Sequence, residues 1–147
     1  MVPAMREPTT AAAALRWHNQ ALSDKALHLP VEAEFETPHV GWFQTRMVRG
    51  GPWVPAKIWI EQDVCEETGE LLSDEVMRCE IAGREQDPCE AWHWLYREPI
   101  EEAAYRYLMA RAEYAKAWAP DEPSANPYKA MDWLKVPTPS FTEGTPT

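Results

Sequence analysis

The sequence lacks the short motifs by which most enzymes are recognised. It contains no glycine-rich phosphate loop, no nucleophile elbow and no closely spaced pair of histidines suited to a metal ion. Its acidic stretch at 61–75 does not follow the spacing of a helical calcium loop, which needs a glycine at the sixth place and a glutamate at the twelfth. We therefore predict that the protein is not an enzyme and that it binds no cofactor or metal.

Long apolar runs are also missing, and cysteine is scarce. No segment approaches the roughly 18 consecutive apolar residues of a membrane span, and residues 1–20 lack the apolar core of a signal peptide. Cys65, Cys79 and Cys89 cannot all pair within one chain, which favours a reducing compartment. These absences predict a cytoplasmic protein that does not associate with membranes.

The three cysteines leave one alternative open. Together with His93 they could form a three-cysteine, one-histidine zinc site, and Cys89 and His93 have a usable separation of four positions. However, the chain has no closely spaced cysteine pair, and free cysteines in proteins are commonly buried. The sequence therefore favours three free cysteines over a zinc site.

Acidic residues outnumber basic residues, and the two kinds are unevenly distributed. The chain has 24 Asp and Glu against 14 Lys and Arg, for a net charge of −10. Residues 37–60 contain three basic residues and no acid, whereas residues 61–102 contain 14 acids and three basic residues. The net charge opposes non-specific adhesion to nucleic acid or anionic membranes, although the basic segment could behave differently.

Hydrophobic periodicity predicts an α+β fold. Thr9 or Thr10 can cap an N-terminal helix that ends near Leu27, because Pro30 disfavours helix in the residue before it. Apolar and polar residues then alternate in four stretches, which predict a four-stranded antiparallel meander that forms a small curved sheet: 31–36, 40–49, 53–63 and 71–82.

A C-terminal helix is predicted to begin at Pro99 and to end before Pro120. Its residues at helical spacing, which should pack it on the sheet, are Ile100, Ala104, Tyr107, Leu108, Ala115 and Trp118. Prolines then become frequent. We predict a single domain at 9–119, a flexible tail at 1–8 and a proline-rich tail at 120–147 that could dock on the body.

The segment GWFQTRMVRGGPWVPAKIWI at 41–60 combines tryptophans with basic residues. Since side chains alternate between the faces of a strand, one face of this hairpin is apolar. The other face holds a set that we call the predicted aromatic face: Trp42, Arg46, Trp53, Lys57 and Trp59. Such a mixture is typical of surfaces that bind single-stranded nucleic acid. The alternative is that a helix or the tail covers the tryptophans as a second core layer, which is favoured because large aromatics are usually buried.

A second candidate surface is acidic. Its carboxylates lie in and after the segment EQDVCEETGELLSDE and form the predicted acidic face: Glu66, Glu67, Glu70, Asp74, Glu75 and Glu80. Such a surface could occupy a basic site on another protein, as an inhibitor or a nucleic-acid mimic does. A solvated hairpin tip is the simpler interpretation of the segment itself.

Two parts of the chain resemble small uncharacterised proteins encoded in tailed phages and prophages of proteobacteria. The shared features are an aromatic residue after Gly41, Arg46, the turn GGPWVP at 50–55, and a helix opened by Pro-Ile at 99–100 that leads into a proline-rich tail. The resemblance implies an accessory protein that binds a host or phage macromolecule, with no catalytic residues to carry over.

We therefore expect the protein to act by binding, and three kinds of partner remain open. The favoured one is a host or phage protein, because a net charge of −10 opposes the approach of DNA. The alternatives are single-stranded nucleic acid on the predicted aromatic face, in replication or recombination, and a structural role as one subunit of an assembly. The sequence leaves the oligomeric state open.

Overall fold

The fold begins with two short helices in place of the single helix predicted. The computed structural model describes residues 7–129, and most of the predicted N-terminal tail therefore lies outside the described residues. The two helices are α1 (Ala11–Ala14) and α2 (Arg16–Ala26). The Thr10 hydroxyl accepts a hydrogen bond from the Ala13 backbone N–H at 3.1 Å and caps α1 as predicted. Leu15 separates α1 from α2 because its φ is −89° and its ψ is 3°.

The first predicted strand is wrong, because residues 31–36 form an irregular segment. Its carbonyl groups bind side chains instead of a neighbouring strand. The Glu32 carbonyl accepts a hydrogen bond from Trp17 Nε1 at 3.2 Å, and the Glu34 carbonyl accepts one from Trp92 Nε1 at 2.9 Å. Apolar side chains of the segment still pack against the core. The alternation therefore reflects the packing of Val31 and Ala33 on the core, not pairing within a sheet, and Phe35 is 57% exposed.

The described residues form one antiparallel sheet of five strands. The strands are β1 (Gly41–Thr45), β2 (Val54–Glu61), β3 (Val76–Ile81), β4 (Arg84–Gln86) and β5 (Pro99–Ile100). Their order is β4-β3-β2-β1-β5, so β1 to β4 form a meander and β5 pairs with the outer edge of β1. The α+β class with a curved antiparallel sheet is confirmed. The predicted set of four strands is wrong, since it included a loop and omitted β4 and β5.

The acidic residues between β2 and β3 project beyond the sheet as a hairpin tip. A single bridge between Val64 and Leu71 closes this tip. Gly69 has a φ of 75° there, the left-handed conformation that glycine adopts most easily. The strand predicted at 71–82 is correspondingly shorter, because its first residues belong to the tip and β3 begins only at Val76.

Helix α3 (Pro88–Leu95), which the sequence analysis did not predict, covers one face of the sheet. The Asp87 carboxylate caps it by accepting a hydrogen bond from the Cys89 backbone N–H at 2.9 Å. The central core residues are Phe43, Ala56, Ile58, Cys79, Ile81, Ala91, Trp92 and Leu95. The centroid of the Trp92 ring lies 4.8 Å from that of Trp17 and 5.7 Å from that of Phe43. Aromatic packing on this face therefore forms the main core.

Helix α4 (Glu102–Trp118) covers the opposite face of the sheet. It begins later than predicted because Pro99 and Ile100 pair with β1 as β5. Its sheet-facing residues are buried or half-buried: Tyr105, Leu108, Ala112 and Ala115. The prediction that Ala104, Tyr107 and Trp118 also pack inward is wrong. Ala104 is exposed, and Tyr107 and Trp118 are 63% and 77% exposed on the outer side of α4. At about 100° per residue, Tyr107 cannot share the direction of Leu108.

The chain folds back on itself after α4. A 3-10 turn (Pro123–Ala125) lies beside α4, where Glu122 forms an ion pair with Arg111. Farther on, the guanidinium carbon of Arg84 lies 5.0 Å from the ring centroid of Tyr128. The described part of the predicted C-terminal tail is therefore docked on the body, and residues 130–147 lie outside the described residues.

The helices within residues 7–129 differ from membrane-spanning segments. None of the helices there combines the length and the apolar character that crossing a bilayer requires. The boundary of the predicted domain at residue 119 stays a prediction.

Candidate binding groove

The predicted aromatic face is spread along the sheet. Trp53 and Trp59 stand six positions apart along the chain at β2, which is about 20 Å along a strand. Trp42 lies between them, opposite Lys57 in the β1–β2 register. Arg46 follows the end of β1, next to Trp53. The structure therefore places one cation–tryptophan pair at each end, with Trp42 between them, and the five residues do not form one patch.

Both outer tryptophans are already in contact with a cation. The Arg46 guanidinium carbon lies 4.3 Å from the ring centroid of Trp53, and Lys57 Nζ lies 4.7 Å from that of Trp59. A cation at this distance is attracted to the π-face of the indole and covers it. One stacking face of each tryptophan is therefore occupied within the fold.

Trp42 belongs to the packing between α2 and the sheet. Its ring stands edge-on to the ring of His18, with the centroids 5.5 Å apart. His18 is 1% exposed, and its Nε2 lies 2.9 Å from the carbonyl oxygen of Trp42. Burial lowers the pKa of His18, so that the neutral imidazole is favoured at neutral pH. The middle of the predicted aromatic face is thus a second packing layer. Trp42, Lys57 and Trp59 are all half-buried, and only the end with Arg46 and Trp53 is exposed.

A groove of about 800 Å³ opens at the end of the sheet that carries Trp53. We call it the Trp53 groove. It is bounded by α4, the start of β2, the turn between β3 and β4, and the segment that folds back after α4. Its apolar lining consists of Pro52, Trp53, Val54, Pro55, Ala82, Leu108, Met109, Ala112, Pro123 and Pro127. This volume lies in the range of protein ligand pockets, which are mostly apolar with a few polar groups.

Charged side chains lie among the lining residues of the Trp53 groove. Arg111 and Glu122 form an ion pair that ties the returning segment to α4. The Glu122 carboxylate also accepts a hydrogen bond from the Ser124 backbone N–H at 3.2 Å. Lys116 and Glu113 add one charge of each sign. The returning segment is therefore fixed by its own contacts, and the groove is preformed before any ligand binds.

Trp53 is the residue of this groove best placed to contact a ligand. Its side chain is 36% exposed although its ring also contacts Arg46. Tryptophan and arginine are the residue types most enriched among those that dominate protein–protein binding energies. Chemically, the groove offers an apolar slot with compensated charges, suited to apolar side chains.

The predicted acidic face is divided by the structure. Glu75 has a structural role, because its carboxylate accepts hydrogen bonds from the Thr9 N–H at 3.2 Å, the Thr9 hydroxyl at 3.0 Å and Gln62 Nε2 at 2.7 Å. These bonds fasten the segment before α1 to the β2–β3 connection. Glu80 is half-buried opposite Lys57 in the β2–β3 register. These two carboxylates contribute to the fold as well as to surface charge.

The remaining acidic residues lie in or next to the hairpin tip. Glu66 and Glu67 are exposed, Glu70 is half-buried, and Asp74 is exposed just before β3. The tip lies at the end of β2 away from Trp53, and β2 is eight residues long, which separates the tip from the groove by more than about 20 Å. The acidic tip and the Trp53 groove are therefore two separate surfaces.

The four residues of the alternative zinc site do not meet. Cys79 is buried in the core, where burial raises the pKa of its thiol to about 12. Cys65 lies in the hairpin tip, and Cys89 and His93 are exposed on α3. Across the described part of the chain, no three His, Cys, Asp or Glu residues are grouped closely enough to hold a metal ion.

Sequence reasoning identified Trp53 but missed the groove around it. The groove combines Gln44 with residues from 52–55, 82–83, 108–116 and 122–127. No local pattern in the sequence indicates that residues 122–127 fold back to lie beside residues 52–55. Comparison of the chain with protein-family models, with curated proteins and with solved structures finds no match. Its function is therefore inferred from the geometry and chemistry of these surfaces.

Proposed function

We propose that this protein acts without catalysis, as an accessory protein that binds a partner protein through the Trp53 groove. The observation that supports this most directly is the apolar lining of a preformed groove beside a partly exposed tryptophan. The ligand is an apolar segment of the partner, whose side chains enter the groove. The ion pair between Arg111 and Glu122 limits the ordering that binding requires, which favours affinity.

The contribution expected from Trp53 follows from its remaining exposure. The side chain is 36% exposed. A tryptophan can bury roughly 250 Å², so a ligand that covers it removes about 90 Å² from water, which is worth about 2 kcal/mol. A loss of this size weakens binding about 30-fold.

The acidic tip complements the groove by acting at longer range. The protein carries a net charge of −10, and its exposed tip residues include Glu66 and Glu67. Negative charge away from the contact surface speeds association with a basic partner and makes the rate depend on salt. We propose a host or phage protein in the bacterial cytoplasm as that partner, a setting supported only by the resemblance of the sequence.

A peptide-display selection on the intact protein tests this function. Selected peptides should carry aromatic or large aliphatic side chains, and fluorescently labelled copies should bind in anisotropy titrations. Trp53→Ala should weaken that binding about 30-fold. The matched control is Trp94→Ala, which removes a tryptophan that is 53% exposed on α3 and is not among the groove residues. A selection that yields no binder, or equal losses from both variants, contradicts the proposal.

Single-stranded nucleic acid is the second candidate ligand, and the cation beside each of Trp53 and Trp59 favours it. One indole face remains for a base, and the adjacent cation could contact a phosphate. Under this alternative a labelled oligothymidine binds at low salt, and its affinity falls steeply as salt increases. Trp59→Ala then weakens binding, since stacking is worth about 1–3 kcal/mol per base. Binding of peptide but not of oligothymidine removes this candidate.

A further inference from the structure

The outer side of α4 carries a continuous apolar stripe that the sheet does not use. Tyr107, Tyr114 and Trp118 are 63%, 64% and 77% exposed. Exposed alanines lie between and beside them. We call the following five residues the α4 seam: Ala103, Tyr107, Ala110, Tyr114 and Ala117. They are separated alternately by four and by three positions. That spacing is the heptad pattern of a coiled-coil interface. It continues for fifteen residues of α4, or about 21 Å.

We propose that the α4 seam binds the same seam of a second copy, forming an antiparallel homodimer with two-fold symmetry. Tyrosine and alanine alternate along the seam, so a large residue of one subunit can lie against a small residue of the other. In the fitting register, Tyr107 lies against Ala110 of the partner subunit and Tyr114 lies against Ala103 of the partner subunit. An isologous interface repeats each contact by symmetry.

Charges beside the seam select this register. Arg106 and Glu113 flank the seam on the same side, seven positions apart. In the antiparallel register, Arg106 lies across from the partner's Glu113, and symmetry gives this attraction twice. Arg106 already forms an ion pair with Glu102 of its own helix, but its side chain is 76% exposed and can reach both carboxylates.

The competing arrangements bring like charges together. If the antiparallel helices slide by one heptad, so that Tyr107 lies against the partner's Ala117, Glu113 faces the partner's Glu113. Arg111 then also faces its own copy. A parallel pairing stacks identical residues and places Arg106 beside the partner's Arg111. Flanking charges of this kind set orientation in coiled coils, and here they favour the first register.

The area of the seam sets the expected strength of the dimer. From their exposed fractions, the three aromatic side chains offer roughly 400–500 Å² per copy, and the alanines raise the total for both copies to roughly 1,000–1,200 Å². That is the low end for specific interfaces, so we expect a dissociation constant in the micromolar range. Since α4 is already folded against the sheet, dimerisation does not have to nucleate a helix.

Sedimentation equilibrium of the full-length protein across the micromolar range tests the proposal. The wild type should show a monomer–dimer equilibrium, and Tyr114→Glu should raise the dissociation constant tenfold or more. Trp94→Glu is the matched control, because it places the same charge on another exposed aromatic position and should leave the equilibrium unchanged. Circular dichroism melts establish that each variant is folded.

A charge exchange identifies the register. Arg106→Glu and Glu113→Arg should each weaken self-association, because each places like charges across the interface. The double variant should recover the wild-type constant, and a mixture of the two single variants should form heterodimers. A protein that is monomeric throughout the concentration range overturns the proposal. The seam would then be a contact surface for residues 130–147 or for a different protein. A dimer that is insensitive to Tyr114→Glu, or one that the double variant does not restore, overturns it as well.

Discussion

Replacing Gly41 by alanine tests the packing that joins α2 to the sheet. A Cβ atom at Gly41 would lie 2.3 Å from Cδ2 and 2.7 Å from Cγ of His18, more than about 1 Å inside the ordinary contact distance. The His18 ring is 1% exposed, and its Nε2 lies against the backbone of Trp42. The ring therefore has little room to move away, and α2 has to shift instead.

The cost follows from two opposing terms. Overpacking of a buried site costs about 1–3 kcal/mol. Removing a glycine from a strand contributes about 0.5–1 kcal/mol in the other direction. We therefore expect Gly41→Ala to lower the free energy of unfolding by about 1–2 kcal/mol and the melting temperature by about 2–8 °C.

Urea unfolding of a double-mutant cycle with His18→Ala gives the decisive measurement. If the imidazole is the obstacle, Gly41→Ala costs much less once the ring is absent, and the coupling between the two changes exceeds about 1 kcal/mol. The Cβ atom of residue 18 remains, 3.1 Å from the added methyl group, as a smaller obstacle. The reasoning fails if Gly41→Ala is neutral in the wild type, or if it costs the same with and without His18.

Three further predictions concern single groups. Burial lowers the pKa of His18 in the folded protein, so as the pH falls the imidazole is protonated in the unfolded chain before it is protonated in the folded one. The free energy of unfolding should therefore decrease as the pH drops below about 6.5, by at most about 1.4 kcal/mol per pH unit. The urea midpoint should change less between pH values on either side of 6.5 in His18→Gln than in the wild type. An equal change in the two proteins contradicts the attribution of this pH dependence to His18. Burial raises the pKa of Cys79 to about 12, so iodoacetamide should modify Cys65 and Cys89 in the folded protein and Cys79 only after unfolding, as read by mass spectrometry. Asp87→Ala should destabilise α3 and lower the unfolding free energy by about 1 kcal/mol. Asp87→Asn should lower it much less, because an asparagine side chain can still cap the helix. Similar decreases in the two variants would show that the cap contributes little to stability.

The sequence predicts the fold where a pattern is local and repeated. Alternation over several residues locates β1, β2 and β3, and helical spacing locates α4. It does not predict β5, which consists of Pro99 and Ile100 and exists because Trp42 and Phe43 offer a free strand edge. Strands of two or three residues carry too little periodicity to be read, since their pairing depends on partners far along the chain.

Residues 31–36 show why alternation and sheet pairing differ. Alternating burial needs only a segment with one side on the core, and Val31 and Ala33 satisfy it. Pairing also needs a neighbouring strand, but here the indole N–H groups of Trp17 and Trp92 bind the backbone carbonyls. Hydrogen bonds to side chains far along the chain cannot be predicted from the local alternation of apolar and polar residues.

Residues near each other in the sequence need not form one site. The five residues of the predicted aromatic face lie within 42–59, yet strand geometry holds Trp53 and Trp59 far apart and brings Trp53 close to α4. The Trp53 groove instead joins five parts of the chain, most of them remote from one another in sequence. The sequence could therefore indicate an important tryptophan but not the surface to which it belongs.

Helix α4 shows how packing decides between two apolar faces of one element. Leu108 and Tyr107 are adjacent in the chain, and each belongs to a regular apolar stripe, one on either side of the helix. The sheet can contact only one side of α4, and it packs against the stripe that contains Leu108 and Ala115. A soluble monomer gains nothing from a second stripe whose tyrosines are more than 60% exposed, because exposed apolar area of this kind promotes association. The alternation of tyrosine and alanine, with an arginine and a glutamate beside it, is explained if the association is with the same helix of a second copy.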